Sequence, residues 1–353
     1  MISMRAVIFE GREKLRIVEL PRPECGKGEV LLRVAACGVC GGDARSYFSG
    51  DQFTGKSRIP GHEVVGFIAE TGEGIHRWKS GDRVALAADL HCGQCFYCRR
   101  SLFNMCDQLK ILGKHLDGGL AEFMLLTSEI LDHGVINFVP KQLPTLAAAI
   151  SEPLCSVLAS HDELQIEKGE TVLVLGCGPM GILHLELLMA RGARVLLADR
   201  APYRVNVVRR DFGIELCIDS SQQDIVAWVR DLTGGTGADV VIVAAPTASA
   251  VVQSLQLVRK RGRVGIFGGL PAAQALVPID VNRVHYGELR LIGNFSYHTR
   301  YHQKALEALT AGLVRTDKII TAYRLEETER ALNDIKDANV LKAVVIPGTG
   351  EKS

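Results

Sequence analysis

Four cysteines, Cys92, Cys95, Cys98 and Cys106, stand in one short stretch with two, two and seven residues between them. Thiolates spaced so closely can close a tetrahedral zinc site from a single local segment, the alternative being four unrelated reduced thiols. Four protein ligands fill the metal's shell, so this ion would be structural and would pin a lobe over about 90–107. A second set of donors is scattered. Cys40 lies in Gly38-Val39-Cys40-Gly41-Gly42-Asp43, His62 and Glu63 in Gly61-His62-Glu63, and Glu152 in Ser151-Glu152-Pro153-Leu154. One thiolate, one imidazole and one or two carboxylates make a zinc site with a position free for water or substrate, which catalysis requires. Their separation along the chain does not by itself bring them together.

Gly176-Cys177-Gly178-Pro179-Met180-Gly181 is a G-x-G-x-x-G that follows the apolar run Thr171–Leu175 and opens an apolar, helix-like segment. That context is the one a dinucleotide fingerprint needs. Gly176 permits the tight turn, Gly178 lets the backbone approach a pyrophosphate, and Gly181 allows the helix to pack closely on the strand. The helix start at Pro179 and Met180 turns its positive dipole end, and the amides from Met180 onward, toward the phosphates. Asp199 ends the next apolar run, where an acid accepts from the adenosine ribose and repels a 2′-phosphate. NAD is therefore expected over NADP, with Arg200 and Arg204 nearby weakening the preference. Cys177 reads as a small apolar filler.

The elements that must position these residues fall into two textures. Residues 5–150 carry short strands between Gly and Pro punctuation, such as 28–35, 63–70 and 82–86, and suggest an all-β barrel or sandwich. From about 165, apolar runs at 171–175, 194–198, 218, 240–243 and 264–267 alternate with helix-like segments, the pattern of a parallel sheet covered on both faces. A helix over 301–313 and a closing strand over 341–346 follow.

Composition narrows the function. The chain has 353 residues, enough for about two domains, with 47% hydrophobic and 23% charged residues. Lys plus Arg is 41 against 40 for Asp plus Glu, which argues against nucleic-acid binding through bulk charge. The 10 cysteines are too sparse for a disulfide scaffold. No targeting segment is visible, and the apolar stretch 171–190 contains Gly176, Pro179, His184 and Glu186, so no membrane insertion is expected. The expected setting is cytoplasmic.

Together, the order Gly-Val-Cys-Gly, Gly-His-Glu, the four-cysteine lobe, Glu-Pro-Leu and the glycine loop resembles the zinc-dependent medium-chain alcohol and polyol dehydrogenase family, in its sorbitol (L-iditol 2-) dehydrogenase-like branch. Asp117-Gly118-Gly119-Leu120-Ala121-Glu122-Phe123 and His285–Gly293 also resemble its patterns. The resemblance implies an α/β plus β protein: a GroES-like β-barrel catalytic domain (1–155 and 295–353) with an inserted Rossmann NAD-binding domain (156–294), and a catalytic zinc between them. It implies two zinc ions per chain, with Cys40, His62 and Glu63 or Glu152 matching the catalytic ligands. Asp43 matches the acid that orients the ligand histidine. The implied activity is hydride transfer from a secondary alcohol of a polyol, cyclitol or sugar-derived substrate to NAD by a homo-oligomer, tetramer or dimer. A threonine-type or sugar-phosphate dehydrogenase, or a non-catalytic dinucleotide-binding relative, are the alternatives. Two positions depart from the pattern. Gly42 stands where the family usually has a Ser or Thr that relays a proton, and Arg45 where the branch often has His. Ser46 is then the nearest hydroxyl. Arg45 is either a solvated loop cation or a contact for an anionic substrate group. His115 and the basic cluster His298–His302 read as surface features.

Overall fold

The computed structural model describes residues 2–50 and 58–348. The chain divides into two compact units, one of 1–155 with 297–312 and 319–353, the other of 156–296 with 313–318.

In the first unit a hairpin, Ser3–Gly11 with Lys14–Pro21, accompanies a seven-stranded sheet. Its order is Ile320–Arg324, Lys342–Ile346, Val30–Gly38, Glu63–Thr71, Arg83–Leu86 and Ile136–Phe138, with Phe123–Leu126 also paired to Val30–Gly38. All pairings are antiparallel except that of Ile320–Arg324 with Lys342–Ile346. Val30, Leu32, Val64, Ile68, Leu86, Leu126 and Val345 supply its core. The expected strands over 28–35, 63–70 and 82–86 correspond to the first, second and third of the central run, displaced by a residue or a few at their ends. The helix Gly41–Ser49 starts at Cys40. The Cys40 Sγ accepts from Gly42 N at 3.3 Å while Asp43 Oδ2 accepts from Cys40 N at 2.9 Å, a reciprocal cap that satisfies two orphan amides. Gly50, at φ +72°, ends it.

The second unit is a six-stranded parallel sheet in the order Cys217–Asp219, Arg194–Asp199, Thr171–Leu175, Ala238–Val243, Val258–Ile266, Arg290–Gly293. The inner strands are continuous apolar runs because helices such as Pro179–Arg191 and Ala248–Leu257 cover them. The tail, expected from 295 onward in the first domain, returns to this unit over Leu313–Lys318. Arg315 ties it there: its backbone N–H donates to Glu186 Oε2 at 2.8 Å and its Nη2 to Oε1 at 2.6 Å. No helix among the described residues is long and apolar enough to cross a membrane.

The basic cluster His298–His302, expected as a surface feature, is not on the surface throughout. His302 is fully buried, bonded at Nδ1 to Asn137 (2.9 Å) and at Nε2 to Ser151 Oγ (3.2 Å), and burial lowers its pKa to about 4.

Candidate metal centres and cofactor loop

Cys40 caps its helix and His62 sits just before the strand Glu63–Thr71, which pairs with the strand leading into Cys40. That pairing brings Cys40, His62 and Glu63 together, with one donor atom from each lying within 4.8 Å of the others. Asp43 Oδ2 is used on the Cys40 amide, so its Oδ1 is left to face His62 Nδ1 at 3.7 Å, an ion-pair distance. Burial opposes the charged form of His62, but Asp43 and Cys40 outweigh it and hold the imidazole well above its usual pKa. Glu63 is buried. One of its carboxylate oxygens is met by the Lys342 ammonium, which also donates to Val39 O at 3.1 Å. The other, Oε2, is buried without a hydrogen-bond partner. A buried carboxylate oxygen with no donor, beside a thiol and an imidazole held by an acid, is the donor set a zinc ion fits.

Glu152 stands outside that compact trio. Its Oε1 accepts from the Tyr297 hydroxyl at 2.6 Å, and the same hydroxyl accepts from Ala88 N at 3.0 Å. Burial raises the Glu152 pKa to about 7, with His62 opposing and Glu63 adding, so it lies within electrostatic reach of the trio. Lys342 and Tyr297 were not singled out in the sequence. A lone lysine inside the apolar strand Lys342–Ile346 is the signal that could have found the first. Ser46 does not replace the missing hydroxyl at 42, because it donates to Gly42 O at 3.0 Å. His115 is exposed and its Nδ1 accepts from Ile111 N at 2.9 Å, a turn contact.

The four lobe cysteines also converge, with donor atoms within 4.8 Å of one another. Backbone amides point at the sulfurs: Cys92 N at Cys106 (3.2 Å), Gln108 N at Cys106 (3.4 Å), Cys98 N at Cys95 (3.5 Å). The amides of Cys98 and Asp107 lower the Cys95 pKa to about 6, whereas burial pushes Cys98 to about 12. Four sulfurs with amide donors aimed at them fit one tetrahedral zinc.

In the second unit Gly176 takes φ +115° directly after the strand. Gly178 caps the helix Pro179–Arg191, with Pro179 at its first position. At Gly181 a side-chain carbon would sit 1.8 Å from Gly176 O, so helix and loop pack backbone on backbone. Both Asp199 oxygens already accept amides, Oδ2 from Cys177 N (2.7 Å) and Oδ1 from Ala201 N (2.8 Å), and Arg204 Nη1 lies 3.6 Å from Oδ2. Asp199 thus shapes the loop as well as offering charge. Arg200 is exposed. Cys177 is buried against Cys217, Sγ to Sγ 3.8 Å, consistent with a filler.

Residues 26–133 match the family described as alcohol dehydrogenase GroES-like domain, and 179–311 match zinc-binding dehydrogenase. A sorbitol dehydrogenase of Halalkalibacterium halodurans is 30% identical over 96% of this chain and 97% of its own. The chain belongs to the zinc-dependent medium-chain alcohol and polyol dehydrogenases. An erythritol/L-threitol dehydrogenase of Mycolicibacterium smegmatis is 35% identical over 75% of this family member and 77% of its own length. A zinc-binding dehydrogenase of Sinorhizobium meliloti, solved with NADP bound, superposes with a TM-score of 0.89 at 30% identity, covering 98% of this chain and 100% of its own. This medium-chain dehydrogenase is thus an oxidoreductase with a GroES-like domain and a Rossmann domain, using zinc and a nicotinamide dinucleotide.

Proposed function

We propose that the enzyme oxidises a secondary alcohol of a polyol, cyclitol or sugar-derived substrate with NAD. The observation that carries this is the trio Cys40, His62 and Glu63, with buried Glu152 in electrostatic reach of it, in a chain 30% identical to a sorbitol dehydrogenase. Cys40, His62 and either Glu63 or Glu152 would hold the catalytic zinc, and Cys92, Cys95, Cys98 and Cys106 the structural one. The catalytic ion supplies Lewis acidity that lowers the pKa of the substrate hydroxyl. Asp43 holds the His62 ring in one orientation. Lys342 neutralises Glu63, and Tyr297 fixes the Glu152 carboxylate by its hydroxyl. Gly176, Gly178, Pro179, Met180 and Gly181 would cradle the pyrophosphate. The Asp199 charge disfavours a 2′-phosphate, with Arg200 and Arg204 the counterweight.

The enzyme is further proposed to be a cytoplasmic homo-oligomer, dimer or tetramer. Arg290–Gly293 ends the six-stranded sheet, and Leu276, Val281, Tyr286 and Phe295 are exposed apolar side chains in the same unit.

Metal analysis and initial rates test the reading together. Two zinc ions per chain and reduction of NAD by polyols are expected, with NADP the poorer acceptor and Asp199→Gly narrowing the gap. One zinc per chain with no turnover on any polyol, threonine or sugar phosphate would leave a binding protein instead. A wild-type preference for NADP would overturn the role given to Asp199.

A further inference from the structure

The Arg45 guanidinium lies over bare backbone beside Cys40. A side-chain carbon built on Gly42 would be 3.6 Å from Cys40 Sγ and 3.8 Å from Arg45 Nη2, and one built on Gly41 would be 3.8 Å from Arg45 Nη1. The side-chain position at residue 42 is thus flanked by a cation on one side and a candidate ligand sulfur on the other. Arg45 is exposed, and among the described residues no carboxylate and no carbonyl engages its guanidinium, which leaves water as its partner until a ligand arrives. Asp43, two residues before it, is committed to the Cys40 amide and faces His62.

Resting on the dehydrogenase reading of this site, we propose that Arg45 receives an oxyanion group of the substrate, so that the preferred substrate is an acidic polyol derivative, a phosphate monoester or a carboxylate, rather than a neutral polyol. A guanidinium presents a planar fork of donors that matches both oxyanions in a bidentate way, and charge-assisted bonds of this kind are roughly twice as strong as neutral ones. A neutral hydroxyl would accept from Arg45 but leave its charge unanswered when substrate displaces water. Glycine at 41 and 42 leaves the fork open from the Cys40 side. The anionic group would sit within a few atoms of the reacting hydroxyl and take no part in the bond changes.

The test uses zinc-loaded, full-length enzyme and a matched set: ribitol, ribitol 5-phosphate and ribonate. KM is read with saturating dinucleotide, and Kd by calorimetry in the presence of reduced dinucleotide. At least one anion is expected to show a KM and Kd tenfold or more below those of ribitol. Arg45→Ala should erase that advantage and Arg45→Lys should keep part of it. Which anion gains tells phosphate from carboxylate. Ribitol binding as tightly as both anions, or Arg45→Ala weakening all three equally, overturns the proposal, as does no binding of either anion. If an anion binds through Arg45 but none of the three is oxidised, this inference stands and the polyol-oxidation reading falls.

Discussion

Cys40 and Cys95 differ in what surrounds the sulfur, and that difference sets what each substitution does. Cys95 belongs to four donors gathered from one short segment, whereas Cys40 belongs to a trio assembled from a helix cap and a strand start. Local ligands couple metal binding to folding of the lobe. Cys95→Ser is expected to lower the melting temperature and remove one zinc, while Cys40→Ser keeps the fold and loses turnover. Unchanged melting and metal content in Cys95→Ser would refute the structural role. Lys342 gives a second case. Its ammonium is the partner of a carboxylate that is 1% exposed. Removing one member of a buried pair leaves a bare charge, at a cost of about 3–5 kcal/mol. Lys342→Met should lose stability on that scale in urea unfolding, and Lys342→Met combined with Glu63→Gln should recover most of it. If the double variant is no more stable than the single, the pair is not the cause.

At the scale of elements, the helix Ser151–Glu163 and the helix Pro179–Arg191 each bury a histidine. His161 Nε2 and His184 Nδ1 lie 2.9 Å apart, and the outer nitrogens, His161 Nδ1 and His184 Nε2, have no partner. Burial lowers the His184 pKa to about 3, and burial, His184 and Arg191 hold His161 well below its usual value. Both are neutral when folded but protonate near 6.5 when unfolded. The contribution of His184 is therefore full above about pH 6.5 and falls as pH drops toward 3, by up to about 1.4 kcal/mol per pH unit, and that of His161 falls in the same direction. Unfolding measured between pH 7 and 5 should show a shallower slope in His184→Leu than in wild type; equal slopes would exclude the pair as the source. The elements themselves were largely legible. The apolar runs at 171–175, 194–198 and 240–243 appear as strands because only a covered parallel sheet buries such runs. The four-cysteine lobe could be read from residue types, since close thiolate spacing is itself a chemical constraint; Cys40, His62 and Glu63 are gathered only through the resemblance, their spacing along the chain saying nothing of proximity. The partners of Tyr297 and Lys342 could not be read this way, because each joins the site through a residue more than a hundred positions away, and only the lone lysine of an apolar strand marks Lys342 at all. The burial of His302 was hidden for the same reason: Asn137 and Ser151, which satisfy it, are remote in sequence.

For the whole molecule, the edge strand Arg290–Gly293 offers unpaired backbone groups, and Tyr286 beside it is 76% exposed. Proteins cover or pair such edges. Light scattering should report a dimer or larger species at micromolar concentration, and Leu291→Arg with Tyr286→Arg should shift it toward monomer while the circular dichroism stays the same. A monomeric wild type would remove the oligomer from the account. The way the two metal centres are distributed along the chain also orders their birth on the ribosome. All four lobe sulfurs have been synthesised once Cys106 is made, so that centre can load while most of the polypeptide is still missing. The trio of Cys40, His62 and Glu63 is equally early, yet the ammonium that answers Glu63 arrives only with Lys342, in the last strand described. A nascent chain halted anywhere between those two residues would carry one finished metal centre and one whose buried acid still lacks its counterion. On the proposed function, release of the final strand is then the event that completes the catalytic half, and truncation from the C-terminus is expected to cost activity before it costs the lobe its zinc.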